Sequence, residues 1–226
     1  MHRLLLGLCA TLFCVSASAL SLSDVSQRDA STGLKDALSQ GAQIAVKQLG
    51  SPGGFNDNPD VRIELPGKLG KAAKTLKMLG LGTQVDAVEN SLNAAAEAAV
   101  PQVQAILLDS VKKMTISDAK AILAGGQDSA TRYLDSSSRE QIRARFLPIV
   151  KQTTDKIGLA QQYNALAGRA ASIGAADANS VSVENYVTEQ ALNGLFDMIA
   201  QQEANIRENP AGAATAIARK IFGAVQ

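Results

Sequence analysis

Two carboxylates stand out by their surroundings. Glu97 lies in an alanine-rich apolar stretch, and Asp197 directly follows Phe196. Such neighbours predict burial, which favours the neutral form of a carboxyl group. One protonated and one ionised carboxyl is the arrangement that glycoside hydrolysis requires. The pair therefore frames an enzyme reading, a carboxylate-dependent glycosidase acting on peptidoglycan. The scarcity of aromatic side chains speaks against it, since sugar subsites commonly stack rings on them and the chain has no tryptophan. Ser110-Val111-Lys112-Lys113 and Ser117-Asp118-Ala119-Lys120 both match the S-x-x-K spacing of serine–lysine acyl transfer. The companion S-D-N and K-T-G elements are missing. Two matches so close together show how readily a helical sequence produces the pattern.

Other residues suggest binding rather than catalysis. Asn56, Asp57, Asn58 and Asp60 offer oxygen ligands to a hard cation, but without the ligand spacing or distant glutamate of an EF-hand. The same residue types form turns for local reasons, so no metal is expected. Gly80-Leu81-Gly82 follows no strand and is not read as a nucleotide loop, so no cofactor is expected either. A polar binding groove is drawn from Arg132, Tyr133 and Arg143, with Arg145 beside them and Phe55 and Asn58 from the preceding loop. Arginines along a helix are more often simply solvated, and Phe55 is expected to fold back onto the core.

The amino-terminal residues narrow the chemistry further. Met1-His2-Arg3, an apolar run over 4–15 and Ala17-Ser18-Ala19 have the features of a secretory leader cleaved after Ala19. The run is short of the roughly 20 apolar residues a membrane span needs. Cleavage would remove Cys9, Cys14 and His2, the chain's whole complement of cysteine and histidine. Ser-His-Asp and Cys-His catalysis would go with them, as would ordinary zinc ligation. Taking nineteen residues from 226 leaves 207, and the loss of Arg3 leaves 21 basic against 21 acidic side chains. A chain of no net charge has no electrostatic bias toward nucleic acid. No dense run of Lys or Arg marks it for an anionic membrane surface. A periplasmic location is expected, with no stable membrane span once the leader is gone.

The rest reads as helices. Apolar residues recur every three or four positions, and no stretch sustains the alternation of a strand. A first helix is predicted from near Ser23 or Ser26 to Leu49, with Leu34, Leu38, Ala45 and Leu49 on its apolar face and a stop at 50–54. A short extended segment at 61–65 leads through Pro66 into a helix ending near Leu79. The stretch 83–114, with Val85, Val88 and Leu92 on one face, must be kinked or divided at Pro101. Capping-box spacing predicts helix starts at Thr115 and at Ser138, the second running to Ile157. A shorter helix carrying Tyr163 and Leu166 follows Gly158, then a loop of small residues at 174–182. The next helix aligns Val187, Ala191, Leu195 and Ile199, with Leu192 and Phe196 beside them. Its Glu203–Arg207 pair has the spacing of a surface ion pair worth about 0.3 kcal/mol. Asn209-Pro210 ends that helix, and a last one reaches Phe222. The expected fold is an all-α, compact, bundle-like single domain over 20–226.

Several motifs together resemble one family of exported bacterial proteins. They are Gly33-Leu34-Lys35-Asp36-Ala37-Leu38, Phe55-Asn56-Asp57-Asn58-Pro59, the stretches 94–101 and 114–123, Tyr186-Val187-Thr188-Glu189-Gln190-Ala191-Leu192 and Ile206-Arg207-Glu208-Asn209-Pro210-Ala211. The family is domain of unknown function 4197. The resemblance implies an exported helical protein of Gram-negative bacteria and brings no activity or functional residue with it. The expected function is a non-enzymatic periplasmic protein that binds an apolar small molecule or an envelope partner, with the glycosidase as the alternative.

Overall fold

A computed structural model describes residues 26–174 and 182–224. Its described residues are helical, with turns and short irregular connections and no strand. The leader and most of the small-residue loop at 174–182 lie outside them.

Helix α1 (Gln27–Leu49) starts where Ser26 accepts a hydrogen bond from Asp29 N at 3.0 Å. It buries Leu34, Leu38, Ala42, Ala45 and Leu49. After an irregular connector come α2 (Gly67–Leu76), a wide turn over Lys77–Leu81, and α3 (Gly82–Ala99). Pro101 divides the next stretch as expected, placing a tight turn at Val100–Val103 before α4 (Gln104–Lys113). The capping box at Thr115 opens α5 (Ile116–Leu123), with Thr115 and Asp118 satisfying each other's backbone. Then follow α6 (Ser129–Ile157), α7 (Leu159–Ser172), α8 (Val183–Glu208) and α9 (Ala216–Gly223).

The start predicted at Ser138 is corrected. Helix α6 runs unbroken through it, and buried Ser138 donates its hydroxyl to the Leu134 carbonyl at 2.6 Å. A serine inside a helix can bond the preceding turn instead of capping a new one. The true start, nine residues earlier at Ser129, draws its cap from another helix.

Helices α1, α6 and α8 form the centre. Helix α8 lies between α1 and α6, α3 and α4 pack on α6, and α9 returns to α1. Leu34, Leu92, Leu107, Leu134, Ile142 and Phe146 are fully buried between them. The chain ends are tied by polar contacts as well. Thr215 donates to Asp36 at 2.9 Å, and the Gln40 amide bridges the Gly212 carbonyl and the Ala214 N–H.

The connector 50–66 lacks regular structure and still packs as core. Phe55 is fully buried, and Val61, Ile63 and Leu65 point inward while Glu64 is exposed. Gly194 on α8 permits this, because a Cβ there would fall 2.9 Å from the Phe55 ring and 3.1 Å from Val61. An extended segment buried without a neighbouring strand must find other partners for its peptide groups. Asn93 supplies them. Its Oδ1 accepts from Ile63 N at 2.8 Å, and its Nδ2 donates to Ile63 O at 2.9 Å and to Glu89 O at 2.7 Å.

Replacing Asn93 should therefore be costly. A buried unpaired polar group costs about 1–3 kcal/mol, so Asn93→Ala is expected to lower stability by ~3 kcal/mol in urea unfolding. Asn93→Asp keeps the acceptor and sets a carboxylate against two carbonyls, so it should do no better.

Candidate docking surface

The side chains singled out by their chemistry fall in separate places. Glu97 is half-buried on α3, and its Oε1 accepts hydrogen bonds from Phe55 N at 3.1 Å and Asn56 N at 3.2 Å. That carboxylate holds the connector in place. Asp197 is exposed on α8. Neither residue lines any of the three cavities described below. Of the S-x-x-K residues, Ser110 is buried while Lys113 pairs with Asp109 at 2.6 Å, and Ser117 and Lys120 are exposed on α5.

The five groove residues are also dispersed. Phe55 is core, and the Asn58 Oδ1 closes a turn by accepting from Asp60 N at 3.1 Å. Arg132 and Tyr133 adjoin at the start of α6. Arg132 pairs with Asp128 at 3.1 Å, and the Tyr133 hydroxyl reaches Asp118 at 3.4 Å. Partial burial raises the Tyr133 pKa, with Asp118 adding to it. The Asp118 carboxyl is held low by the Thr115 backbone N–H and hydroxyl. Arg143, about three turns further along α6, binds Glu189 of α8, which also receives Arg139 at 3.3 Å. Exposed Arg145 lies beside it. The turn-forming loop directs polar atoms to itself, to Glu97 and, through the Asn56 carbonyl, to Arg62. Among the described residues, no three His, Cys, Asp or Glu side chains gather as a metal site.

The Glu203–Arg207 pair differs most from its sequence reading. Its side chains are only 3% and 10% exposed. Glu203 accepts from Ala130 N at 3.1 Å, from Thr131 N at 2.8 Å and from the Thr131 hydroxyl at 2.8 Å, so it caps α6 from α8. Arg207 binds Glu203 at 2.8 Å, the Ile122 carbonyl at 3.2 Å and Ser129 at 3.0 Å, and lies over the Phe222 ring. Spacing four apart showed the ion pair. It carried no sign of the backbone that the pair serves.

Exposed basic side chains and the most exposed large apolar ones gather elsewhere, in the hairpin of α2 and α3. Helix α2 turns Leu69, Ala72 and Leu76 inward. Lys68, Lys71 and Lys74, together with Lys77 just past its end, are exposed. Between 65 and 85 there are four lysines and no acidic residue. In the linear sequence apolar residues separate these lysines, so no basic run appears, whereas the helix gathers them. At the apex, Gly80 adopts φ 83°, a left-handed conformation open to glycine, and sends the chain back into α3. Met78 and Leu79 there are 72% and 60% exposed, more than any other large apolar side chain among the described residues.

Beside the apex is an open cleft of about 680 Å³, whose lining includes Arg62, Glu64, Lys74, Lys77, Glu89 and Met78 of the apex itself. Its charges largely pair with their neighbours. Glu89 meets Arg62 at 3.3 Å and Lys77 at 3.8 Å, and Lys77 meets Asp86 at 2.8 Å. The hydrogen bond to Asp86 is the main cause of a raised Lys77 pKa. A second cleft, about 420 Å³, runs between α3 and α7 from Gln84 to Arg169. A third, smaller space near Leu34, Ile199 and Phe222 measures about 10 Å³, room for about one water molecule. No helix among the described residues is long and apolar enough to cross a membrane.

Two substitutions are expected to separate the polar nodes. Glu203→Ala strands Arg207 and the first α6 amides, and should cost about 3–5 kcal/mol, measured by urea unfolding. For Glu189, partial burial raises the pKa, but the hydrogen bonds from Arg143 and Arg139 prevail and hold it below the usual range. A carboxyl with a lowered folded pKa adds stability that is full above its unfolded value and lost as pH falls through the folded one. Glu189→Gln should thus cost ~0.5 kcal/mol near pH 7, since the pair is partly exposed. The difference from wild type should close as pH falls below about 4.

Residues 24–223 match the sequence model of the family described as "Protein of unknown function (DUF4197)", and the chain belongs to that family. No curated protein and no solved structure matches it.

Proposed function

We propose that this member of the family is an exported, non-enzymatic helical protein of the bacterial cell envelope, which works by docking through the apex of the α2–α3 hairpin. The observation carrying this reading is that Met78 and Leu79, adjacent in the chain, are the two most exposed large apolar side chains among the described residues. Large apolar side chains grouped at the surface mark interaction sites more often than chance would place them there. The leader features at 1–19 support export. Of the two binding modes foreseen, docking is favoured over carriage of an apolar molecule, because the most exposed apolar side chains project at the apex, while the space near Leu34, Ile199 and Phe222 is only about 10 Å³. The glycosidase alternative needs two carboxylates in one cleft. Glu97 is committed to the connector, and Asp197 lies apart from the clefts.

Photo-crosslinking in cells tests this. A benzoylphenylalanine replacing Leu79 should give discrete adducts in a bacterium expressing the full chain, whereas the same residue replacing Ile217, on the α9 side, should not. The recovered protein should have the mass of residues 20–226. Equal labelling from both positions, or none from position 79, would overturn the docking reading.

A further inference from the structure

We infer that the surface met by this apex is an anionic lipid membrane, with the α2 lysines resting on its headgroups and Met78 and Leu79 entering the boundary with the acyl chains. The inference rests on the docking reading of the same surface and supplies the chemistry of what is docked to.

Charge carries the first half of the argument. The mature chain is balanced overall, yet the segment 65–85 is purely basic. Lys68, Lys71 and Lys74 rise along one side of α2, and their exposed positions lead directly to the apex. Arg169, exposed on α7, shares the second cleft with Gln84 in the first turn of α3, adding a cation at this end of the molecule. The acidic groups at its margin are Glu64, Glu89 and Asp86. Glu89 and Asp86 are paired with Arg62 and Lys77, and Glu64 lines the cleft before α2 begins, so Lys71 and Lys74 set the charge of the face nearest the apex. Juxtamembrane lysines are attracted to anionic headgroups, each contributing additively and each screened by salt.

Shape carries the second half. A protein partner commonly receives an apolar anchor in a pocket, or offers one into which the anchor fits. Here the two apolar side chains stand at the tip of a helical hairpin: Met78 borders the larger cleft yet is mostly exposed, and Leu79 lines neither cleft. An apolar tip flanked by lysines is the pattern of an interfacial anchor, which buries a few apolar side chains while its cations stay at headgroup level. Nucleic acid would use the lysines and leave Met78 and Leu79 in water. A span is not involved, since no described helix is long and apolar enough to cross. The attachment is peripheral and reversible.

The test is co-sedimentation of protein recovered from the periplasm of expressing cells with two kinds of vesicle. One is phosphatidylcholine alone, and the other contains phosphatidylglycerol at about one part in four. Binding is expected on the anionic vesicles at about 50 mM salt, with strong release at about 500 mM, and little binding on neutral ones. Lys71→Gln with Lys74→Gln should weaken it roughly twenty-five-fold, at about five-fold for each lysine. Met78→Ser with Leu79→Ser should weaken it about ten-fold or more. Lys113→Gln, on α4, should leave it unchanged. All these positions are exposed, and unchanged urea midpoints would confirm that the variants fold. No sedimentation with anionic vesicles, or variants that bind like wild type, would overturn the membrane assignment. If position 79 still crosslinked to a protein in cells, docking would stand with a different occupant. If neither result appeared, both readings would fall.

Discussion

The side-chain amide of Asn93 does the work of a missing strand. It closes both peptide groups of Ile63 in a setting where water cannot reach them, and it does so from a helix. Its neighbours one turn away on either side, Glu89 and Glu97, extend the arrangement. Glu97 takes the amides at Phe55 and Asn56, and Glu89 takes Arg62, whose other contact is the Asn56 carbonyl. Three polar residues four apart on one face of α3 thus hold a connector with no ladder of its own. Tyr186 adds a fourth hold from α8 by donating to the Glu64 carbonyl at 2.9 Å. The hairpin apex depends on this scaffold, because α2 leaves the core directly after the connector ends.

The molecule keeps two kinds of polarity at two depths. Inside, Asn93 and Glu203 satisfy backbone groups that would otherwise be stranded, and each is nearly inaccessible. A buried charge is tolerable only when it is paired and hydrogen-bonded, as Glu203 is by Arg207 and three donors of α6. Outside, the α2 lysines sit exposed on a helix that contains no acidic residue. The carboxylates that first suggested catalysis belong to neither a cleft nor a pair, which is why architecture explains them better than reaction chemistry does.

How far the sequence reached depended on distance along the chain. The Thr115 start, the break at Pro101 and the extended segment at 61–65 were all legible, and Ser26 was one of the two starts offered for α1, since each is decided within a few residues. The helical class was legible for the same reason, being a sum of local periods. The cap of α6 was not. Ser138 offered the right local spacing, whereas the group that does the capping lies 72 residues beyond Thr131. Asn93 was unreadable on similar grounds, its partner being 30 residues away. As for the docking surface, the lysine spacing was present in the sequence, but only the helical geometry of α2 makes neighbours of residues three apart. The exposure of Met78 and Leu79 came entirely from where the hairpin turns.

The bond between Thr215 and Asp36 spans 179 positions, and the Gln40 contacts to Gly212 and Ala214 span 172 and 174. The first long helix therefore stays open along one side until the last short helix has been made. Helical proteins dominated by neighbouring contacts tend to fold fast, while closures across most of a chain carry a loop entropy that slows them. This fold has helical elements with the closure pattern of a slower topology. In a chain made amino-terminus first, this lock forms late, and the side of α1 that packs on α9 waits uncovered until residues 212–224 have been made.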